Sequence, residues 1–328
     1  MKQKLNVILI IIFLPLIISV VTHFGYISGY TEGVFSTETF SSQYDSGIYK
    51  YRILSKYLLL ETDNIMSHTG LNRMDNMLSR NVRFMDSKGT LSFYFSYFII
   101  NSVFSILGVW IFYLISIKFF FVGNINKSIL AVLFYVLGVS MFQYVLVPYD
   151  YTSFFFNNLI IYLFLSQKSQ KSILLMSAML LTIVLATLNR ETSALAISFM
   201  LALNFTEKKN IFESVKEILL PAAAFLITYF GLRLFLGFDS GFLNKFTLHL
   251  NLISPLNLFG IFSGIFSIYL VYYFVGKSDI RKTLTNYLLF SMPYILVSLC
   301  GGITYEIRLW TPLIINLVII LLYYRKEF

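Results

Sequence analysis

The sequence predicts an all-α polytopic membrane protein with about ten transmembrane helices. Of its 328 residues, 57% are hydrophobic and only 12% are charged, whereas soluble domains have roughly 45–50% apolar and about 25% charged residues. The apolar residues form long runs with almost no charge, and about 20 residues suffice for one transmembrane helix. These observations exclude a water-soluble globular domain. The single cysteine, Cys300, also excludes an intrachain disulfide and a CxxC metal or redox site.

Ten apolar runs follow one another along the chain. They cover about residues 5–22, 91–115, 129–147, 153–166, 173–188, 192–206, 218–236, 256–275, 287–303 and 311–323. Several are short for a bilayer core about 30 Å thick at a rise of about 1.5 Å per residue, notably 153–166, 192–206 and 311–323. We therefore expect the ends of these helices to lie at or below the membrane surface.

The distribution of basic residues predicts the orientation. The first run follows Lys2 and Lys4 and is not followed by an A-x-A-like cleavage site, so we predict a retained signal anchor with a cytoplasmic amino terminus. Threading ten spans from there places 14 of the 25 Lys and Arg residues inside and only 4 in short outer connections or near outer span ends. The other 7 lie in the connection 23–90, which is long enough to be largely exempt from the positive-inside rule. Both termini are therefore predicted to be cytoplasmic.

The connection 23–90 is the one long hydrophilic segment, and the predicted topology places it outside the cytoplasm. It is too short and too poor in apolar clusters to form much of an independent core. We predict amphipathic, juxtamembrane helices within it and a single transmembrane domain over residues 1–328. The net charge of +9 in so apolar a chain indicates membrane topology rather than binding to nucleic acid.

The first candidate cluster lies in this connection, in the segment QYDSGIYKYR. If a helix starts near Ser46, the helical period places four residues on one stripe: Asp45, Tyr49, Arg52 and Lys56. Asp45 is then either only the N-cap of an interfacial helix or also an acid or base. In the second case, Arg52 and Lys56 are available to phosphate oxygens.

Three more clusters lie at predicted outer connections. Asp150 stands in a short turn, Arg190 and Glu191 join two short spans, and Glu306 and Arg308 precede the last span. Ionisable groups at a membrane boundary cost several kcal/mol unless they are paired or hydrated. The alternatives are structural: a solvated turn for Asp150, snorkelling or ion pairing for Arg190, and interfacial anchoring for the last cluster.

The predicted topology resembles that of the GT-C glycosyltransferases. It begins with one span and a long outer connection that has an acidic residue about 20 residues after that span. Further spans with charged outer connections follow. These integral membrane enzymes use polyprenyl-phosphate or polyprenyl-diphosphate sugars. The resemblance implies a GT-C-like fold in the bacterial cytoplasmic (inner) membrane. It also implies transfer of the sugar to a cell-surface glycan or lipid acceptor at the outer face. Asp45 matches the catalytic acid of the family's first loop, and Asp150 matches an acidic residue of the second.

Under this interpretation Asp45 is the base and Asp150 is a second acid. Alternatively, Asp150 and Asp45 together bind a divalent cation such as Mg²⁺ or Mn²⁺. Inverting transfer needs a carboxylate to accept the acceptor's proton and positive charge to stabilise the leaving phosphate. The predicted donor-binding and phosphate-binding residues are Tyr49, Arg52, Lys56, Arg190, Glu191, Glu306 and Arg308. A transporter or lipid-linked oligosaccharide flippase and a noncatalytic membrane subunit are the alternatives, because buried charges also line transport pathways.

Overall fold

A computed structural model describes residues 2–25, 37–45, 47–70, 89–140, 147–208, 210–238 and 246–324. Every regular element in these ranges is a helix, and they contain no strand. The predicted all-α fold class is therefore confirmed.

The described helices are numbered in chain order. The first eight are α1 (Lys2–Ile8), α2 (Leu14–Gly25), α3 (Thr37–Tyr44), α4 (Ile53–His68), α5 (Leu91–Ile115), α6 (Ile125–Ser140), α7 (Asp150–Gln170) and α8 (Ile173–Asn189). The next seven are α9 (Ala194–Lys208), α10 (Ile211–Leu236), α11 (Leu248–Ile253), α12 (Pro255–Tyr273), α13 (Ser278–Phe290), α14 (Met292–Gly301) and α15 (Thr311–Tyr324). Three short 3₁₀ turns also matter for the site: Gly47–Tyr51, Glu191–Ser193 and Ile307–Leu309.

Several of these helices are suited to a membrane. Four are long and apolar enough to cross one: Leu5–Gly25, Leu91–Phe120, Ile211–Leu236 and Pro255–Tyr273. The pair α13 and α14, bent by 50°, makes a fifth candidate if it is counted as one span. The chain is therefore described as a membrane protein. The count of ten stays a prediction, because α6, α8 and α15 are apolar but have only 10–17 residues.

The helices pack around α7, which lies between α5 and α8. Gly108 of α5 lies at this contact, where a Cβ would stand 3.5 Å from the backbone of Phe155 in α7, an ordinary van der Waals distance. Next to this core, α9 packs against α10 and α13. By contrast, α10 exposes large apolar side chains such as Ile227 and Phe235. Such an apolar outer surface is what a lipid-facing helix requires.

The two ends of the bundle carry different charges. At one end, Lys118 donates to Ser166 over 3.1 Å, and Lys168 pairs with Glu207. At the other end, the start of α7, the end of α8 and the start of α15 bring arginines and acids together. One end therefore carries mainly lysines and the other the arginines and acids of the predicted outer connections, while the side of the membrane that each end faces remains a prediction.

The prediction of one helix beginning near residue 46 is wrong. Asp45 follows the end of α3, where its N–H donates to the carbonyl of Ser41 over 2.9 Å, so it is not an N-cap. Gly47 has φ 62°, a left-handed conformation that ends the helical path, and Arg52 has φ −91° and ψ 56° at the start of α4. These two breaks interrupt the predicted single helix; Arg52 pairs with Glu191, whereas Lys56 pairs with Asp45.

Candidate functional site

Six of the predicted site residues meet at one end of the bundle around a tyrosine. We call this group the arginine–acid cluster; it consists of Arg52, Tyr149, Asp150, Arg190, Glu191, Glu306 and Arg308. They come from the starts of α4 and α7, the connection between α8 and α9, and the loop before α15. The fold therefore gathers charges that are widely spaced in the sequence.

Asp150 is the central acid of the cluster. Its side chain is 1% exposed, and its Oδ1 accepts a hydrogen bond from Nη1 of Arg190. Its Oδ2 lies 3.6 Å from Nη1 of Arg308. Asp150 is also the first residue of α7, where the helix dipole favours a negative charge. Burying a carboxylate is costly unless such partners compensate for its lost hydration.

Glu306 and Arg308 form an ion pair within one loop. Nε and Nη2 of Arg308 donate to Oε2 of Glu306 over 2.9 and 2.8 Å. Residues two apart in a helix point in different directions. Here Glu306 precedes the 3₁₀ turn with non-helical φ −70° and ψ 85°, which lets the two side chains meet.

Arg52 and Glu191 form the third ion pair. Nη2 of Arg52 donates to Oε1 of Glu191 over 2.8 Å; the Arg52 side chain is 4% exposed and that of Glu191 is 34% exposed. Burial raises the pKa of Glu191, but Arg52 and Arg190 outweigh burial and lower the pKa to about 2. For Arg52, burial lowers the pKa, but Glu191 and Tyr149 raise it by more, so the pKa of Arg52 lies above its ordinary value.

Tyr149 connects the ion pairs, and the sequence interpretation missed it. Its ring centroid lies 4.1 Å from the guanidinium carbon of Arg52 and 5.1 Å from that of Arg190. Asn189 fixes the local backbone by donating to the Tyr149 carbonyl over 3.1 Å. Burial raises the pKa of the Tyr149 phenol to about 12, so it is protonated at neutral pH. Its position directly before Asp150 in a short turn was the available signal.

An aromatic wall stands beside Tyr149. The ring centroids of Tyr44 and Tyr49 lie 6.4 and 6.3 Å from that of Tyr149, and Tyr49 also lies 5.0 Å from the guanidinium carbon of Arg52. Tyr49 was predicted as a site residue, whereas Tyr44 was not. The 3₁₀ turn at Gly47–Tyr51 carries Tyr49 against the cluster.

Asp45 and Lys56 lie beside the cluster and are more exposed. Nζ of Lys56 is 2.5 Å from Oδ1 of Asp45; the Lys56 side chain is 26% exposed and the Asp45 side chain is 65% exposed. Asp45 is linked to the aromatic wall by its neighbour Tyr44. The two predicted catalytic acids therefore have different partners, since Asp150 pairs with buried arginines.

The predicted divalent cation has no described ligand set. Within the ranges that the structure describes, no group of three or more His, Cys, Asp or Glu side chains is arranged to hold a metal ion. The two oxygens of Asp150 face Arg190 and Arg308, an environment that already supplies positive charge. The cation remains a prediction.

The cluster retains hydrogen-bonding capacity. Among the described residues, five of its buried atoms or their neighbours lack a hydrogen-bond partner: Nε of Arg52, Nε of Arg190, Nη1 of Arg308, Oδ2 of Asp150 and the hydroxyl of Tyr44. Buried polar atoms are normally paired with protein or water. Oδ2 of Asp150 and Nη1 of Arg308 face each other over 3.6 Å, whereas Nε of Arg52 and Nε of Arg190 remain as donors for the oxygens of an anionic ligand.

Comparisons with protein-family models, with curated proteins and with solved structures found no match to this chain.

Proposed function

We propose that this protein transfers a sugar from a polyprenyl-phosphate or polyprenyl-diphosphate donor to a cell-surface glycan or lipid acceptor. The reaction takes place at the outer face of a bacterial inner membrane, in a GT-C-like bundle of ten spans. The observation that carries the proposal is the convergence of three buried arginines at one end of the bundle, two of which, Arg52 and Arg190, have an Nε–H without a hydrogen-bond partner.

The arginines bind and stabilise the phosphate of the donor. The planar guanidinium donates two parallel hydrogen bonds, a geometry that matches phosphate. Charge accumulates on this phosphate as its bond to the sugar breaks, and fixed positive groups in a buried site stabilise that charge. Asp150 and Glu306 hold Arg190 and Arg308 in place. We therefore assign Asp150 a positioning role instead of the role of second acid or metal ligand that the resemblance implied.

Asp45 is the base in this proposal. Glu191, with a pKa of about 2, accepts a proton poorly, and Asp150 is enclosed by arginines. Asp45 is open to an incoming hydroxyl, and Lys56 fixes one of its oxygens. The acceptor oxygen attacks the anomeric carbon, the carbon–oxygen bond to phosphate breaks, and the acceptor's proton passes to Asp45. The products are the glycosylated acceptor and the polyprenyl phosphate, or the polyprenyl diphosphate when the donor is a diphosphate.

The test uses the purified protein in nanodiscs with a panel of radiolabelled polyprenyl-phosphate sugars and follows sugar transfer. Loss of a general base is expected to reduce turnover by about 10²- to 10⁴-fold in Asp45→Asn. Glu61→Gln is the matched control, because Glu61 is also an exposed acid, on α4, outside the cluster. Normal turnover in Asp45→Asn refutes the proposed base. Absence of transfer from every donor by the folded wild type counts against the reaction itself.

A transporter or flippase is the second candidate, because polar side chains continue from the cluster into the bundle. A cavity of about 10 Å³ beside Arg190 is lined by Ser153 and Asn157, room for about one water. Asn157 donates to Asn316 over 2.8 Å, and Asn316 donates to the Tyr287 hydroxyl over 3.1 Å. Buried polar groups in membrane helices often mark transport pathways.

The two functions separate in proteoliposomes. A flippase moves a fluorescent lipid-linked sugar between leaflets without any acceptor, and Asn316→Leu should slow that movement. The transferase needs an acceptor and is expected to work at normal rate in folded Asn316→Leu. Flipping without acceptor by the wild type, lost in Asn316→Leu, would favour transport over the proposed transfer.

A further inference from the structure

An apolar groove with basic residues at its rim lies at the end of the bundle opposite the arginine–acid cluster. It has a volume of about 550 Å³. We call it the lysine groove; its walls include Leu130, Phe134 and Phe274, and Lys127 and Lys277 stand at its rim. This groove is separate from the proposed transferase site and does not depend on that function.

The position of the groove follows from the course of α15. Its lining includes Leu321 and Leu322, near the carboxyl end of α15, whereas Arg308 of the cluster precedes the amino end of the same helix. With 14 residues, α15 is about 21 Å long. The groove therefore lies at the lysine-rich end, which the charge distribution predicts to be cytoplasmic.

The walls present an apolar surface that is open to the surroundings. Leu130, Phe134 and Phe274 are 54%, 69% and 58% exposed. In a membrane, the natural neighbours of such a surface are lipid acyl chains. The groove separates α6, which packs on α2 and α5, from the side formed by α13 and α15. A molecule in the groove would therefore bridge two parts of the bundle.

The rim is basic. Lys127 and Lys277 are exposed, and long lysine side chains reach from an apolar surface towards the headgroup region. Nη2 of Arg281 donates to the carbonyl of Val275 over 3.4 Å, which brings a third cation to the turn that forms one edge of the groove. One acid, Asp279, follows in the same turn, so among the described residues the basic side chains at this rim outnumber the acidic ones.

We infer that the lysine groove binds an anionic phospholipid, with the phosphate between Lys127 and Lys277 and an acyl chain along Phe134 and Phe274. Basic pockets between membrane helices on the cytoplasmic side are complementary to anionic headgroups. A zwitterionic lipid fits the same walls but lacks the net charge that the rim attracts. The bound lipid joins α6 to α13 and stabilises the folded protein.

The test compares full-length protein in mixed micelles containing phosphatidylglycerol or phosphatidylcholine. Native mass spectrometry counts bound lipids, and thermal unfolding in the same micelles reports stabilisation. The wild type should retain phosphatidylglycerol in preference to phosphatidylcholine and unfold at a higher temperature with it. The double variant Lys127→Gln, Lys277→Gln should bind phosphatidylglycerol about 25-fold more weakly, about fivefold for each lysine.

The matched control is Lys171→Gln, Lys216→Gln, which removes the same charge from exposed positions outside the groove lining. It should bind as the wild type does. A second variant, Leu130→Trp, narrows the groove without changing charge and should also displace the lipid. Equal binding of both lipids by the wild type, or equal losses in both lysine variants, would overturn the inference.

Discussion

Replacing Asp150 with asparagine tests the architecture of the arginine–acid cluster most directly. The carboxylate is 1% exposed and faces Arg190 and Arg308, so Asp150→Asn leaves two buried guanidiniums without its charge. Removing one partner of a buried ion pair costs about 3–5 kcal/mol. Arg308 keeps its ion pair with Glu306, so we expect a loss of stability at the lower end of this range, about 3 kcal/mol. With a shift of about 2–4 °C per kcal/mol, the melting temperature should fall by about 6–12 °C.

The assay is thermal unfolding of purified variants in one detergent, and Asp45→Asn is the control. The Asp45 side chain is 65% exposed, and surface ion pairs contribute about 0–1 kcal/mol, so its melting temperature should move by no more than about 4 °C. The double variant Asp150→Asn, Arg190→Gln should lose less stability than the sum of its single variants, because both changes remove the same contact. If Asp150→Asn unfolds at the temperature of Asp45→Asn, the argument for a buried ion pair is wrong.

Three further results are expected. The pKa of Glu191 is lowered from 4.5 to about 2, so its ion pair with Arg52 stabilises the fold above pH 4.5, and this stabilisation is lost as the pH falls towards 2. Between pH 4.5 and 2, the melting temperature of the wild type should therefore fall more steeply than that of Glu191→Gln. A Cβ at Gly260 would lie 2.1 Å from a backbone oxygen of the facing loop, whereas a Cβ at Gly138 would meet no atom within 4 Å. Gly260→Ala should therefore lower the melting temperature, and Gly138→Ala should not. Single cysteines at Thr69 and Ser169, in a background without the native cysteine, should be labelled by an impermeant reagent from opposite sides of the membrane; labelling from one side contradicts the topology.

The sequence was sufficient to predict which charges matter at the cluster. Arg190 and Glu191 stand between two short apolar runs, and Asp150 occupies a turn between two others. Few polar residues are available in so apolar a chain, and helix ends are where they can be placed. Within the described residues, each of the ten apolar runs overlaps a helix, while the count of ten spans stays a prediction.

The partners of these charges were not predictable in the same way. Arg52 and Glu191 are 139 positions apart, so no helical period relates them. Their pairing depends on how α4 packs against α8 and α5, which is a tertiary effect. The position of Asp45 was missed for a local reason, since the left-handed Gly47 and the non-helical Arg52 interrupt the helix that the spacing suggested. Tyr149 was missed because it carries no charge, so the pattern of charged residues that indicates the site gives no signal for it.

The charge balance of the cluster indicates how a donor would enter under the proposed function. Three arginines face three acids, so the formal charges of the cluster balance, and a phosphate adds negative charge. Asp150 and Glu306 are buried, whereas the Glu191 side chain is 34% exposed and is the acid that can move towards water. An incoming phosphate therefore replaces Glu191 on Arg52 at the smallest desolvation cost. In this sequence of events Glu191 occupies the phosphate position until the donor arrives, and Asp150 keeps Arg190 and Arg308 fixed throughout.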